Sequence, residues 1–368
     1  MNLEKIAEKY SKIFPKYPKL IINKKDNTAM FKYELTFIDM FGGIGGGSLG
    51  LERAGWKCVW YSDKLKTCNL IYARHYGDIK RDSRPIRQVD AKEVPDHTLL
   101  VAGFPCQSFS ITGKRKGFAD SRGTLFYDIA RIVETKKPPL LLLENVKGLL
   151  SAQKGYCFYR ILQTLDELGY DVEWQVLNSK CFGVPQNRER VFIIGHLREE
   201  SDGQVFPIGR NNKKNSKEIK IKLVSKSKNQ VNRVYNPNGL SPTLNTNTGG
   251  RHIPQILIIG NVYPSKHEAG NIYDTKGISP TIKCNGPRPN SKNISPKIVE
   301  NNRIRRLTPV ECERLQGFPD NWTKYGKTVD GHIIEISDSQ RYKVLGNAMT
   351  VNVMEFLGNK LKGSLKID

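Results

Sequence analysis

The chain has 368 residues and carries 59 Lys and Arg against 36 Asp and Glu, a formal net charge of +23. That length implies two domains, or one large domain with a substantial insertion, and that charge points to a polyanionic partner, nucleic acid first. No apolar run reaches the length of a membrane span, and Met1–Tyr10 mixes both charge signs without the apolar stretch of a secretory signal. The seven cysteines contain no Cys-x-x-Cys pair and the six histidines are scattered, so a reducing, cytoplasmic setting and no structural metal are expected.

Residues 1–33 predict a helical segment followed by a Lys- and Asn-rich link. Leu35–Ile38 is the first candidate for a buried strand and ends at Asp39. Phe41 and the glycines at 42, 43, 45, 46 and 47 follow, then a helix over Leu49–Ala54. Glycines leave no Cβ between main chain and ligand, and the helix amides beyond them can hold an anionic group. Asp39 and Phe41 beside that turn suit a ligand with an ammonium group and a flat ring. A plain tight turn is the competing reading. The next strand, Lys57–Tyr61, ends at Asp63, where a carboxylate could accept hydrogen bonds from ribose hydroxyls or simply cap a helix.

Leu99–Ala102 is a third apolar run, stopped by Gly103 and Pro105 so that Cys106 falls on the loop beyond it. A thiol there is either a nucleophile or a packing cysteine. A helix over Leu125–Val133 precedes the fourth strand, Leu140–Leu143, which runs into Glu144. If these strands are parallel neighbours, Asp39, Asp63, Cys106 and Glu144 open onto one rim of the sheet, where α/β folds gather ligands. Further on, the pattern predicts a helix over Tyr156–Leu168 and strands over Asp171–Leu177 and Val191–Ile194. Arg188 and Arg190 precede the last of these, as site groups or as surface ion pairs.

Beyond residue 200 the composition turns to Asn, Lys, Ser, Gly and Pro, as in an inserted, loop-dominated module. Within it Arg233-Val-Tyr-Asn-Pro-Asn-Gly-Leu-Ser-Pro-Thr-Leu244 is similar to Asn271-Ile-Tyr-Asp-Thr-Lys-Gly-Ile-Ser-Pro-Thr-Ile282. Such strand–turn–strand units suit a small β-rich domain, and their Asn, Thr, Gln and Arg side chains are types that read base edges. Arg303–Pro319 predicts a helix with Thr308 as N-cap, Pro309 at its first position and Gly317 past its end, and a terminal helix runs through Leu361.

Six motifs stand in order over roughly residues 35–355: Phe37-Ile-Asp-Met-Phe-Gly-Gly-Ile-Gly-Gly46, Gly103-Phe-Pro-Cys-Gln-Ser-Phe-Ser110, Glu144-Asn-Val146, Gln186-Asn-Arg-Glu-Arg190, Arg306-Leu-Thr-Pro-Val-Glu-Cys-Glu-Arg314 and Gly346-Asn347. In this order and spacing they resemble the bacterial DNA (cytosine-5) methyltransferases of restriction–modification systems. The resemblance implies a doubly wound, mostly parallel, Rossmann-like α/β sheet with a smaller β-rich target-recognition domain inserted. It divides the chain into an extension over 1–33, a catalytic domain over 34–200 plus 336–368, and a recognition domain with hinge over 201–335. It implies methyl transfer from S-adenosyl-L-methionine to C5 of a flipped-out cytosine, with Cys106 as nucleophile and Glu144 and Arg190 as its catalytic partners. Asp39, Phe41, Gly43, Gly45, Asp63, Ile86, Gly103, Pro105, Asn347 and Ala348 would hold the cofactor. Gln107, Ser110, Arg188, Gln230, Arg233, Thr243 and Thr281 would meet double-stranded DNA. A monomer, paired with a restriction endonuclease of the same site, is the implied form.

The chain departs from that pattern at Lys64, where relatives carry a large apolar residue, and at Pro85, where they carry an acid that bonds the adenine amino group. Asp82 is a candidate replacement for it. Three other readings compete: a tRNA cytosine-5 methyltransferase, a DNA-binding relative without catalysis, and a dinucleotide oxidoreductase resting on Gly45, Gly47 and Gly50. The long repeat-bearing insert favours DNA over tRNA.

Overall fold

Each apolar run bounded by glycine or an acid becomes a strand of one central sheet. The computed structural model describes residues 19–23, 28–32, 34–105, 125–198, 201, 204–208, 234–235, 255–256, 272–274, 297–300 and 303–365. In chain order these hold β1 (Lys19–Asn23), β2 (Thr28–Lys32), β3 (Thr36–Met40), α1 (Gly46–Arg53), β4 (Lys57–Ser62), α2 (Lys66–His75), β5 (Lys80–Asp82) and β6 (Leu99–Gly103). Next come α3 (Leu125–Lys136), β7 (Leu140–Val146), α4 (Tyr156–Glu167), β8 (Tyr170–Asn178) and β9 (Glu189–Leu197). The insert carries β10 (Val234–Tyr235), β11 (Gln255–Ile256), β12 (Ile272–Asp274), β13 (Lys297–Glu300) and β14 (Arg303–Arg306). The chain then forms α5 (Pro309–Leu315), β15 (Tyr325–Lys327), β16 (Ile333–Glu335), α6 (Asp338–Asn347) and α7 (Val351–Leu361).

The main sheet has seven strands in the order β5-β4-β3-β6-β7-β9-β8. Its first five are parallel, whereas β9 runs antiparallel to both β7 and β8. Alternate residues of each strand feed opposite faces. Ile38, Leu100, Leu141 and Ile193 meet Phe126 and Ile129 of α3 and Ile161 of α4 on one face. Phe37, Leu99, Leu140 and Ile194 meet Leu51 of α1 and Met354 and Leu357 of α7 on the other. Both faces are covered, as the near-continuous apolar strands require. The sheet is doubly wound and mostly parallel, as expected.

Several expectations change. Within the segment expected to be a helix and a link, Lys19–Asn23 pairs antiparallel with Thr28–Lys32 in five register pairs, from Lys19 with Lys32 to Asn23 with Thr28, so strand pairing replaces the link there. The expected helix over the first residues lies outside the described residues. Asp39 and Glu144 lie inside their strands rather than after them. Arg303–Arg306 is strand, paired antiparallel with β13, so the helix expected from 303 starts only at Pro309. Its cap is as expected: Thr308 and Glu311 form a reciprocal capping box, and Gly317 takes φ +81°. The two repeat copies carry matching strands, β10 and β12, each paired in parallel with a later strand.

Residues 307–336 belong to the sheet's own body. Leu307, Cys312, Leu315, Phe318, Trp322 and Ile336 pack with Ile44, Tyr61, Ile71 and Tyr72. Trp322 stacks on His75 with ring centroids 3.6 Å apart and donates its indole N–H to Ile44 O at 2.8 Å. Glu313 ties the segment together. Fully buried, it accepts the amides of Asn321 (2.7 Å) and Thr323 (2.8 Å), the Thr323 hydroxyl, and Arg341 Nη2 at 3.1 Å. Glu313→Ala would remove the buried counter-charge of Arg341, leaving it Asp338 and Thr323, and would leave two amides unpaired. Urea unfolding should show a loss of about 3–5 kcal/mol. A change below about 1 kcal/mol would contradict this role for the carboxylate. Among the described residues, no helix is long and apolar enough to cross a membrane.

Candidate active site

At the carboxyl end of β3 the chain turns sharply over its own carboxylate. Phe41 (φ +56°), Gly43 (φ +57°) and Gly45 (φ +85°) all take left-handed conformations, rare for a residue with a side chain. A Cβ on Gly42 would fall 2.7 Å from Asp39 Cγ, and one on Gly46 would fall 2.3 Å from Met349 O. Glycine is therefore required on both sides of the turn, below by Asp39 and beside it by the segment leading into α7. Above Gly43 the Cβ position is open, with nothing within 4 Å. Asp39 Oδ2 accepts both the amide (3.1 Å) and the hydroxyl (2.8 Å) of Ser48 in the first turn of α1.

Asp63 fastens the same turn from β4. Its Oδ2 accepts the Gly43 amide at 3.0 Å and its Oδ1 the Leu65 amide at 2.8 Å, while Tyr61 donates its hydroxyl to Gly43 O at 2.7 Å. Burial raises the Asp63 pKa, and the two amide bonds oppose that rise. Each carboxylate oxygen keeps a second lone pair for a ligand. Lys64 and Pro85 are exposed, and Ile86 is buried with its carbonyl accepting from Arg131 Nη2 at 3.0 Å. Asp82 is engaged elsewhere, its carboxylate forked by Arg84 with Nη2 at 2.6 Å.

Along the same rim Gly103 of β6 pairs with Glu144 of β7. A Cβ at Gly103 would sit 3.6 Å from Glu144 Oε2. Glu144 Oε1 lies 3.1 Å from Arg190 Nε, and both side chains are only 12% exposed. Burial lowers the Arg190 pKa while Glu144 raises it. Asn145, next to Glu144, donates its amide to Phe104 O at 2.9 Å and so anchors the chain leading through exposed Pro105 to residue 106. The sequence placed Asn145 in a motif but gave it no task.

Asn347 is exposed at the end of α6, and Ala348 is buried behind it. Arg188 corrects an expectation. Rather than reaching toward DNA, it is 3% exposed and donates Nη1 to Gly346 O (3.1 Å) and Nη2 to Ala348 O (2.9 Å). Burial and neighbouring Arg190 push its pKa down to about 9, so it is still a cation at neutral pH. Arg188 and Arg190 share a motif with one residue between them, yet one props the segment leading into α7 and the other faces Glu144. Cys106, Gln107, Ser110, Gln230, Arg233, Thr243 and Thr281 lie outside the described residues. Among the described residues no cluster of His, Cys, Asp or Glu could hold a metal ion.

A doubly wound sheet with such a turn and such a carboxylate–guanidinium pair along one edge is the frame of a group-transfer enzyme using a bound cofactor. The chain belongs to the C-5 cytosine-specific DNA methylase family, whose pattern matches residues 35–363. It is 35% identical to the type II methyltransferase M.HhaI of Haemophilus parahaemolyticus over 90% of this chain and 95% of that one. It is 36% identical to M.SsoII of Shigella sonnei, over 89% and 80%. In fold it resembles the Dnmt2 methyltransferase of S. pombe, with a TM-score of 0.59, 20% identity, and coverage of 88% of this chain and 97% of that one. A DNA modification methyltransferase encoded in an E. coli prophage gives a TM-score of 0.58 at 17% identity, over 90% and 99%.

The chain is thus an S-adenosylmethionine-dependent DNA cytosine-5 methyltransferase. Its glycine turn fits that cofactor: open above Gly43, closed beneath by Asp39, and holding an Asp39 Oδ1 with no partner. Family membership removes the oxidoreductase reading of Gly45, Gly47 and Gly50.

Proposed function

We propose that the protein methylates C5 of one cytosine within a fixed duplex sequence, as the modification half of a type II restriction–modification pair, and that it acts as a monomer. Cytosine C5 is a weak nucleophile, and a thiolate added at C6 makes the ring enamine-like. Cys106 is assigned that addition. Glu144 is assigned the hydrogen bond or proton at N3, where negative charge would otherwise build up, and Arg190 both holds Glu144 and faces O2. S-adenosylmethionine, held by the residues of the glycine turn, would supply an electrophilic methyl group for C5. Loss of the C5 proton and expulsion of the Cys106 thiolate then restore the ring. The observation that carries this reading is the largely buried Glu144–Arg190 pair beside Gly103, three residues before Cys106.

Phe41, Gly43, Gly45, Asp63, Ile86, Gly103, Pro105, Asn347 and Ala348 are assigned to the cofactor, with Asp39 beneath them. A stacked base is out of reach of a thiol at a sheet edge, so the cytosine has to leave the helix. Gln107 and Ser110 would close over it and Gln230 would fill its place. Arg233, Thr243 and Thr281 of the repeats would read base edges. We place the recognition insert at residues 201–306, since 307–336 pack with the sheet.

A duplex carrying 5-fluorocytosine at the target tests the mechanism, because that ring has no C5 proton to lose and elimination stalls. Wild-type protein with cofactor should give a protein–DNA band that survives denaturing electrophoresis, and Cys106→Ser should give none. No such band on any duplex that the enzyme methylates, or an undiminished band with the serine variant, would overturn the covalent route.

A further inference from the structure

We propose that Asp39 holds a proton in the cofactor-free enzyme and gives it up to solvent when the cationic cofactor settles on the glycine turn. The inference rests on the reading of that turn as the cofactor's cradle. Asp39 has no exposure at all, yet among the described residues no Lys, Arg or His side chain pairs with it. Both of its donors, the Ser48 amide and hydroxyl, reach Oδ2, and Oδ1 has no partner. The Tyr72 and Ser48 hydroxyls are 2.9 Å apart, so a Tyr72 → Ser48 → Asp39 relay of O–H donors can form.

The other groups facing it make matters worse for an anion. Asp63 just after β4 and Glu52 from α1 are acidic, and Tyr72 of α2, Tyr76 just after it, and Tyr61 and Cys58 of β4 are hydroxyls and a thiol whose own pKa values burial raises. Burial lifts the Asp39 pKa from 3.8 to about 7, with Asp63 and Glu52 adding to the lift and the two Ser48 bonds opposing it. The native state therefore keeps this proton to higher pH than the unfolded chain. Its contribution to stability falls as pH rises from about 4 through about 7.

A cation held on the turn would reverse that balance. The Cβ positions of Gly42 and Gly47 lie within about 3 Å of the Asp39 carboxyl, so the carboxyl sits directly against the main chain of the turn, whose open position is at Gly43. At neutral pH S-adenosylmethionine carries a sulfonium, an ammonium and one carboxylate, a net single positive charge. Its demethylated product lacks the sulfonium charge and is neutral overall. Cofactor therefore favours the Asp39 anion, and methyl transfer removes part of that preference, letting the proton return as product leaves. Cofactor affinity should fall by up to about tenfold for each pH unit below about pH 7 and level off above it.

Titration calorimetry of the full chain with S-adenosylmethionine at pH 7, in two buffers of different ionisation enthalpy, counts the protons. Wild type should release more protons than Asp39→Asn, and S-adenosylhomocysteine should show a smaller difference. The ligand's own amino group contributes equally to both proteins and cancels. Equal proton counts in wild type and variant would overturn the proposal. Failure of wild type to bind the cofactor at all would instead overturn the cradle reading beneath it. A second measurement needs no variant: infrared difference spectra of wild type should lose a protonated-carboxyl stretch as cofactor is added, and an unchanged band would refute the release.

Discussion

Glutamine at position 144 is expected to slow methyl transfer by about 10²–10⁴-fold, read as the single-turnover rate at saturating cofactor and DNA. Glu144→Gln keeps the shape of the side chain and an acceptor for Arg190 Nε, now 3.1 Å from a carboxylate oxygen. It removes both the charge opposite that guanidinium and the capacity to deliver a proton to N3. Arg190 is nearly as buried as Glu144, so losing its counter-charge should also lower stability by about 1–3 kcal/mol. Cofactor affinity should be unaffected, because Glu144 lies on the side of Gly103 away from the glycine turn. A transfer rate equal to wild type would remove Glu144 from the chemistry.

A structural effect as large as that of Glu313→Ala should come from Arg188→Ala. Two buried carbonyls, Gly346 O and Ala348 O, would lose a shared charged donor, at an expected cost of about 3–5 kcal/mol in urea unfolding. Those carbonyls belong to the segment whose Met349 O presses against Gly46, so cofactor affinity should fall with stability. Arg188→Lys should rescue little, since an ammonium cannot fork to two carbonyls 158 and 160 residues away in sequence as a guanidinium does. A phosphate-binding role would look different: unchanged stability, weaker DNA binding at every sequence, and a shallower salt dependence. That result would restore the expectation made from the sequence.

The parallel sheet was readable because its strands are buried on both faces and end at glycines or acids, which leaves a contiguous apolar signature. Asp39, Asp63, Gly103 and Glu144 stood out in the sequence for the same reason: each closes such a run. What the sequence hid depends on partners far along the chain. Arg188 reads as a surface or phosphate-binding arginine until residues 346 and 348 are known to lie under it. Glu313 looks like one more charge on an amphipathic helix, yet it organises Asn321, Thr323 and Arg341. The pairing of Lys19–Asn23 with Thr28–Lys32 escaped because mixed Lys, Asn and apolar residues carry little local preference, and cross-strand pairing decided the outcome. Asp82 looked free to replace an absent acid until Arg84, two residues on, was seen to hold it.

The glycine turn near residue 45 is closed by main chain from residues 349 and 351, and α1 packs on α7. A ribosome making this protein must therefore deliver the chain through residue 351 before the turn near residue 45 can grip the methyl donor. Nascent or prematurely terminated chains would be silent on DNA, and modification would begin only with molecules whose synthesis has passed residue 351.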